Sequence, residues 1–501
     1  RRVHGGRSYS SEATASKLRI YSTQALSLMK EDGNNKNYVE AATIVFKFAI
    51  ASRCLVITLI ILWRTMIPPY DTSSSINPAC IIPHRFPNAP DSSLRFSKIG
   101  SAIQNSVVWD SVYFIRIAEC GYEYEQTYAF FPLLPLLIRF ISRTALFPLI
   151  PLIGYRAVLT LAGYIVCNSA FITSAAYFYR LSEIRMKNKD AAFRASILFC
   201  FNPASIFYSS IYTESLYSLF SVGGLYHFSS GSANVATFWW SLSSLARSNG
   251  IINVGYFCYQ AFHQICDILM RRKRVSAKLF LFPLRCLCVF APFLAFQTYG
   301  YFQICFTNAN SSWCRKKLPL MYNYIQSEYW GVGFLRYYQL KQLPNFLLAS
   351  PILSLAITSI VHFVRENSED FYSLGFVTRK KTFTGLLENS SQEALGSNLR
   401  SRKRFADKIS EKRGRNEEIS SGVSVIVPCV FHLGFMVATA TLFMHVQVAT
   451  RFLSASPPIY WYAASLMGSL LHVKWSYLVW AYSSVYVLIG SLLFSTFYPF
   501  T

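Results

Sequence analysis

Residues 43–63, TIVFKFAIASRCLVITLIILW, form the first unbroken apolar run of the chain and set its class. A helix needs about 20 mostly apolar residues to cross the hydrocarbon core of a bilayer, and this run supplies them with only Lys47 and Arg53 charged. Lys47 lies near one end, where its ammonium can reach the headgroups. Arg53 lies well inside, where a charge costs about 2.5–3.5 kcal/mol on insertion scales, so it is expected to face the interior of a helix bundle. Similar segments recur near 155–178, 195–229, 233–268, 279–304, 345–364, 423–444 and 457–497. Three are long enough to be helical hairpins, which gives an all-α polytopic membrane protein with about 8 to 11 transmembrane helices.

The composition agrees. Of 501 residues, 52% are hydrophobic, 16% aromatic and 14% charged, and the mean hydropathy is +0.29, too apolar for a soluble protein of this size. A net charge of +24 would suggest a nucleic-acid partner in a soluble chain. Here Lys and Arg gather in short stretches between apolar runs, so no nucleic acid is expected. The 12 cysteines follow no zinc or redox spacing, and most lie in apolar segments where thiols act as small hydrophobes. Cys80, Cys120, Cys305 and Cys314 fall in long polar loops, where a bridge such as Cys305 to Cys314 requires an oxidising compartment. Residues 1–40, rich in Ser, Arg and Lys, are expected to form a tail without a fold of its own.

Sidedness follows from the basic connectors. Arg180–Arg194, Arg271–Arg274 and Arg365–Arg415 hold clustered Lys and Arg and are expected to be cytosolic. The segments 64–154, 305–343 and 445–456 then lie on the other side, provided that 195–229 and 233–268 each cross twice. This divides the chain into a membrane core at 41–364 with a luminal loop at 64–154, a basic and disordered cytosolic loop at 365–421, and C-terminal transmembrane helices at 422–501. Asn310-Ser311-Ser312 is a glycosylation sequon on the luminal side, and Asn389-Ser390-Ser391 lies on the cytosolic side.

With only 24 Asp and Glu in the chain, luminal acids are few. The first luminal loop carries Trp109-Asp110, Glu119 and Glu123, then Pro132 and Pro135, followed by Pro148 and Pro151. These prolines are expected to shape a re-entrant piece. Helical spacing of Trp109, Tyr113 and Arg116 suggests an interfacial amphipathic helix with Asp110 at its start. Asp110 is then either a helix cap, since Asp is favoured there, or an acid held at the membrane surface beside a lipid headgroup.

Four strings carry a resemblance to a known family: VVWDSVYFIRIAECGYEYEQTYAFFPLLPL (107–136), FNPASIFYSSIYTESLYSLF (201–220), YIQSEYWGVGFLRYYQLKQLPNFLLASP (324–351) and MHVQVATRFLSASPPIYWY (444–462). Together they resemble the GPI mannosyltransferase 2 family of GT-C glycosyltransferases, over roughly 44–500. The N-terminal tail and the stretch between Tyr462 and Lys474 depart from it. The resemblance implies a GT-C-like bundle with luminal loop helices in the endoplasmic reticulum membrane. It also implies transfer of the second mannose from dolichyl phosphate mannose to a GPI glycolipid acceptor, forming an α1,6 linkage, and makes a small membrane subunit plausible. In such enzymes an acid of the first luminal loop is the catalytic base, which maps onto Asp110. A β-linked donor and an α-linked product imply one direct displacement, needing a carboxylate at the acceptor hydroxyl and positive charge at the departing phosphate.

For the phosphate, Arg451 is the first candidate, with Arg247 and His445 behind it; interfacial anchoring, helix capping and a structural imidazole are their alternatives. Asn202-Pro203 and Tyr212-Thr213-Glu214-Ser215 bracket a helix break, tolerated in a membrane only where it is buried or lines a cavity. Glu214 is thus a second candidate acid, with a water-exposed hairpin tip as the alternative. Asn202, Tyr212 and Trp109 are candidate substrate contacts. Trp313, Tyr322, Tyr324, Trp330, Tyr337 and Tyr338 either stack on sugars or form an interfacial belt. No Asp-x-Asp pair or His/Cys cluster occurs in a luminal loop, so no metal or other cofactor is expected. A transporter or flippase is the rival reading, although no paired repeat is visible; a non-catalytic structural subunit is a third.

Overall fold

The computed structural model describes residues 36–70, 80–81, 95–271, 278–306, 311–376, 425–468 and 473–498. Among these residues the secondary structure is entirely helical. The first half runs through α1 (Lys36–Met66), α2 (Ser97–Asn105), α3 (Ser111–Cys120), α4 (Leu133–Arg143), α5 (Ile150–Ile153), α6 (Tyr155–Met186), α7 (Lys189–Cys200), α8 (Ser205–Ser209) and α9 (Glu214–Ser229). The second half comprises α10 (Ala233–Ala246), α11 (Val254–Arg271), α12 (Lys278–Cys305), α13 (Met321–Glu328), α14 (Leu343–Glu366), α15 (Ser368–Tyr372), α16 (Ile426–Leu442), α17 (Ala449–Leu453), α18 (Pro457–Gly468) and α19 (Val473–Ser495). Five of these, α1, α6, α12, α14 and α19, are long and apolar enough to cross a membrane. Where a re-entrant piece is expected, residues 133–143 and 147–153 are bent by 69° at the break between them, the geometry of a broken span or of a re-entrant loop.

The other apolar helices are shorter and pack against the long ones and one another, α7 against α1, α6 and α18, and α9 against α6 and α10. The α9–α10 contact is close because of glycine. A Cβ on Gly224 would stand 2.4 Å from the indole nitrogen of the fully buried Trp240, the small-residue contact that lets helices approach in lipid.

Arg53 does face the interior, at 2% exposure, and its role there is to complete the broken helix α7–α8. Pro203 has no N–H for the carbonyl of Phe199, so the Asn202 side chain donates to that carbonyl at 2.8 Å and accepts from Ala204 N at 2.9 Å. That leaves Cys200 O without its helical donor. The Arg53 guanidinium donates to it at 3.2 Å, to Ser205 O at 3.0 Å and to the Ser209 hydroxyl at 3.0 Å, while lying 3.9 Å from the Phe171 ring centroid. In hydrocarbon every backbone group must find an internal partner, and one arginine supplies it for two carbonyls here.

Two expectations need correction. Helix α3 spans Ser111–Cys120, and Ser111, Phe114, Ile115, Arg116, Ile117, Ala118, Glu119 and Cys120 are all buried, so it is a core helix and not an interfacial one. Its polar residues are covered by ion pairs: Arg116 with Glu123 at 2.6 Å and Arg156 with Glu119 at 2.9 Å. The connector after α14 begins with the helix α15 and a turn whose Leu374 carbonyl accepts from Tyr259 at 2.9 Å; the rest of that connector, and Asn389, lie outside the described residues. Disulfides join Cys80 to Cys120 and Cys305 to Cys314, all four on the loops expected to be luminal.

Candidate active site

Trp109 begins the site with a backbone φ of +54°, a left-handed conformation that is costly for a bulky side chain. It is held there by its indole N–H, which donates to Phe494 O at 3.1 Å, and by packing on Phe497 at 5.7 Å between ring centroids. The next residue, Asp110, occupies the N-cap position of α3 but makes no side-chain capping bond. Its backbone N–H donates to the Tyr212 hydroxyl at 3.1 Å. The carboxylate instead meets Arg451, at 3.1 Å, and remains 32% exposed.

Arg451 arrives on the short helix α17, from the far end of the sequence. Its guanidinium also lies 3.8 Å from Glu214 and within 5.2 Å of the Phe207 and 5.5 Å of the Tyr212 ring centroids. Glu214, the first residue of α9, forms a second ion pair with Arg247. The four groups therefore make a continuous chain, Asp110 to Arg451 to Glu214 to Arg247. Burial alone would lower the Arg451 pKa, but the Asp110 and Glu214 carboxylates outweigh it and raise it, so Arg451 is a permanent cation.

This chain lines a cavity of about 800 Å³. Its wall includes Trp109, Asp110, Tyr212, Glu214, Arg247, His445 and Arg451, brought together from four distant stretches of sequence. His445 stacks on Tyr337 at 4.6 Å, and its pKa is lowered by burial, which favours a neutral imidazole. Aromatic residues of the 305–343 segment divide: Tyr322 and Trp330 line the cavity, whereas Trp313 is fully buried and bonded to Glu125 at 2.6 Å.

Several expectations change. Asn202 lies away from the cavity, because its amide caps the helix break. Glu214 is no water-exposed hairpin tip, being 2% exposed between two guanidiniums. Arg451 and Arg247, expected at the phosphate, are both paired with carboxylates in space. Asn310 lies outside the described residues. Among those that are described, Cys80, Cys120 and Glu123 place three potential metal ligands together, but the sulfurs are bonded to each other and Glu123 is paired with Arg116. Asn249, on the cavity wall beside Arg247, carries no motif that marks it in the sequence; among the described residues its amide has no hydrogen-bond partner, a tertiary property with no sequence signature.

Residues 41–501 match the family described as Mannosyltransferase (PIG-V). The chain is 29% identical over 451 residues to GPI alpha-1,6-mannosyltransferase 2 of Rattus norvegicus, covering 84% of each chain. It is 29% identical to GPI mannosyltransferase 2 of Drosophila melanogaster, covering 78% of this chain and 86% of the relative. With GPI mannosyltransferase 2 of Schizosaccharomyces pombe the identity is 30%, covering 73% of this chain and 66% of the relative.

Proposed function

The chain belongs to the mannosyltransferase (PIG-V) family, and we propose that it moves mannose from dolichyl phosphate mannose to a GPI precursor with Asp110 as general base. It is a multi-pass membrane glycosyltransferase of GPI-anchor biosynthesis, acting on a lipid-linked mannose donor and a GPI glycolipid acceptor. The transporter reading gains no support from these relatives, whose names are all those of mannosyltransferases.

The observation that carries the mechanism is a one-third-exposed carboxylate beside a mostly covered cation at a roomy cavity, Asp110 next to Arg451. In a direct displacement the acceptor oxygen attacks the anomeric carbon of the donor mannose as its proton passes to Asp110. The bond from that carbon to the phosphate oxygen breaks, and its electron pair leaves with dolichyl phosphate. Arg451 and Arg247 lie on the same wall to stabilise the phosphate, while Glu214 holds the two guanidiniums in place. Neutral His445 offers a hydrogen bond and no charge. This chemistry needs no metal or other cofactor.

The site lies in the lumen of the endoplasmic reticulum in this reading. Two disulfides on the loops that frame the cavity suit an oxidising compartment. Counting α7 with α8 as one passage and adding α9, α10, α11, α16 and α18 to the five long helices gives about eleven crossings. That places the start of α1 in the cytosol and the end of α19 in the lumen. A small membrane subunit, if the enzyme requires one, assembles with this chain in the bilayer. The direct test is transfer of labelled mannose from dolichyl phosphate mannose into a one-mannose GPI precursor, by membranes with and without the protein. A product with a second, α1,6-linked mannose is expected; equal incorporation in both membranes would refute the assignment.

A further inference from the structure

The turn after α10 carries a polar group with no hydrogen-bond partner among the described residues. Residues 248–253 form a 3-10 helix that is locked against its neighbours. A Cβ on Gly250 would stand 2.3 Å from the Ser243 carbonyl, so only glycine lets the turn pack so closely on α10. The Asn253 amide donates to Gly250 O at 2.9 Å and to the Ser221 hydroxyl at 3.0 Å, closing the turn from within. The Ser248 hydroxyl is paired with the Tyr322 hydroxyl at 2.7 Å, tying the turn to α13.

Between these fixed points lies Asn249, 7% exposed and on the wall of the 800 Å³ cavity. Neither its Oδ1 nor its Nδ2 has a hydrogen-bond partner among the described residues. Leaving a buried amide unsatisfied costs about 1–3 kcal/mol for each group. A rigid turn that leaves such a group unsatisfied in a residue lining a cavity suits a ligand that completes the bonding. A carboxamide offers one acceptor and a two-proton donor side by side, which matches neighbouring hydroxyls that each donate and accept. Asn323 and Gln326 add further amides to the same cavity, and Tyr322 and Trp330 add aromatic surface.

We infer that Asn249 is a specificity-determining residue that hydrogen-bonds sugar hydroxyls of one of the two saccharide substrates. The inference rests on the mannosyl-transfer reading above, and the chemistry is shared by the donor mannose and the acceptor glycan. It separates two parts of the cavity: a charged part from Asp110 to Arg247 where bonds change, and a neutral amide part at Asn249 that recognises the ring.

The test is steady-state transfer in microsomes by the wild type and by Asn249→Ala and Asn249→Asp, varying donor and acceptor in turn. Melting of each purified variant in detergent is measured alongside. In Asn249→Ala the KM for one substrate is expected to rise about tenfold, the scale of one lost hydrogen bond, with kcat changing less. Its melting temperature should not fall, because the substitution removes an unsatisfied group from the empty site. A rise confined to the acceptor assigns the hydroxyls to the glycan, and one confined to the donor assigns them to the mannose; either supports the inference. Acceptors lacking single hydroxyls refine the first case: the contacted hydroxyl should matter to the wild type and not to the alanine variant. Unchanged KM values for both substrates, or a lower melting temperature without a KM change, would show that Asn249 is structural. A wild type unable to transfer mannose would overturn the functional reading and the inference together, a result distinct from an active wild type with an indifferent variant.

Discussion

Glu214 sits between Arg451 and Arg247 at 2% exposure, so its charge is balanced by the two guanidiniums more than by water. Removing one partner from a buried ionic group costs about 3–5 kcal/mol, because the charges left behind stay desolvated. Glu214→Gln should therefore lower the melting temperature in detergent and also reduce transfer, since both guanidiniums lose their common anchor. Unchanged melting would mean that the pairing contributes nothing to the fold. A second effect is visible in His445, whose pKa burial lowers below its usual 6.5. The unfolded chain then binds more protons at this position than the folded one. Its stabilising contribution is complete above about pH 6.5 and is lost as pH falls through that value toward the lower folded one. Melting temperatures from about pH 7 to about pH 5 should decline, and less steeply in His445→Gln. At this scale the individual charged residues were legible in the sequence: few luminal acids and few intramembrane cations left a short list containing Asp110, Glu214, Arg247 and Arg451. Their pairing was not, since 341 positions separate Arg451 from Asp110.

The break between α7 and α9 shows what an element can and cannot reveal. Asn202-Pro203 marks it plainly, since proline removes a helical donor. The sequence also showed that Arg53 must be inside, from its cost in lipid alone. That the two observations have one explanation emerges only when the Arg53 guanidinium is found on Cys200 O and Ser205 O. Arg53→Met should consequently destabilise the protein by about 2 kcal/mol or more, by leaving these carbonyls unsatisfied. Arg53→Lys should recover only part of the loss, because an ammonium cannot span the same acceptors as a planar fork. Equal melting of wild type and Arg53→Met would show that the break satisfies itself. Helix α3 was misread for a related reason. Spacing of Trp109, Tyr113 and Arg116 suggested one wet face, but Arg116 and Glu119 are neutralised by Glu123 and Arg156 and so can be buried.

Across the whole molecule, the expected sidedness rests on basic residues that accumulate in alternate connectors. The two disulfides lie in the segments that this rule assigns to the opposite side from the basic ones, as do Asp110, Tyr322, Trp330 and Arg451 of the cavity wall. Glycosylation mapping should find a glycan at Asn310 and none at Asn389; the reverse pattern would invert the orientation. The shape of the site was less legible, since the cavity is lined by loops and helices from 109 to 494 that meet only after the bundle closes. The decisive measurement is the single-turnover rate of mannose transfer at saturating donor and acceptor for wild type and Asp110→Asn, in membranes with equal amounts of inserted protein. The asparagine keeps the size of the side chain and loses its ability to take a proton, so the rate should fall by about 10²–10⁴-fold. Transfer at the wild-type rate would remove Asp110 from the chemistry.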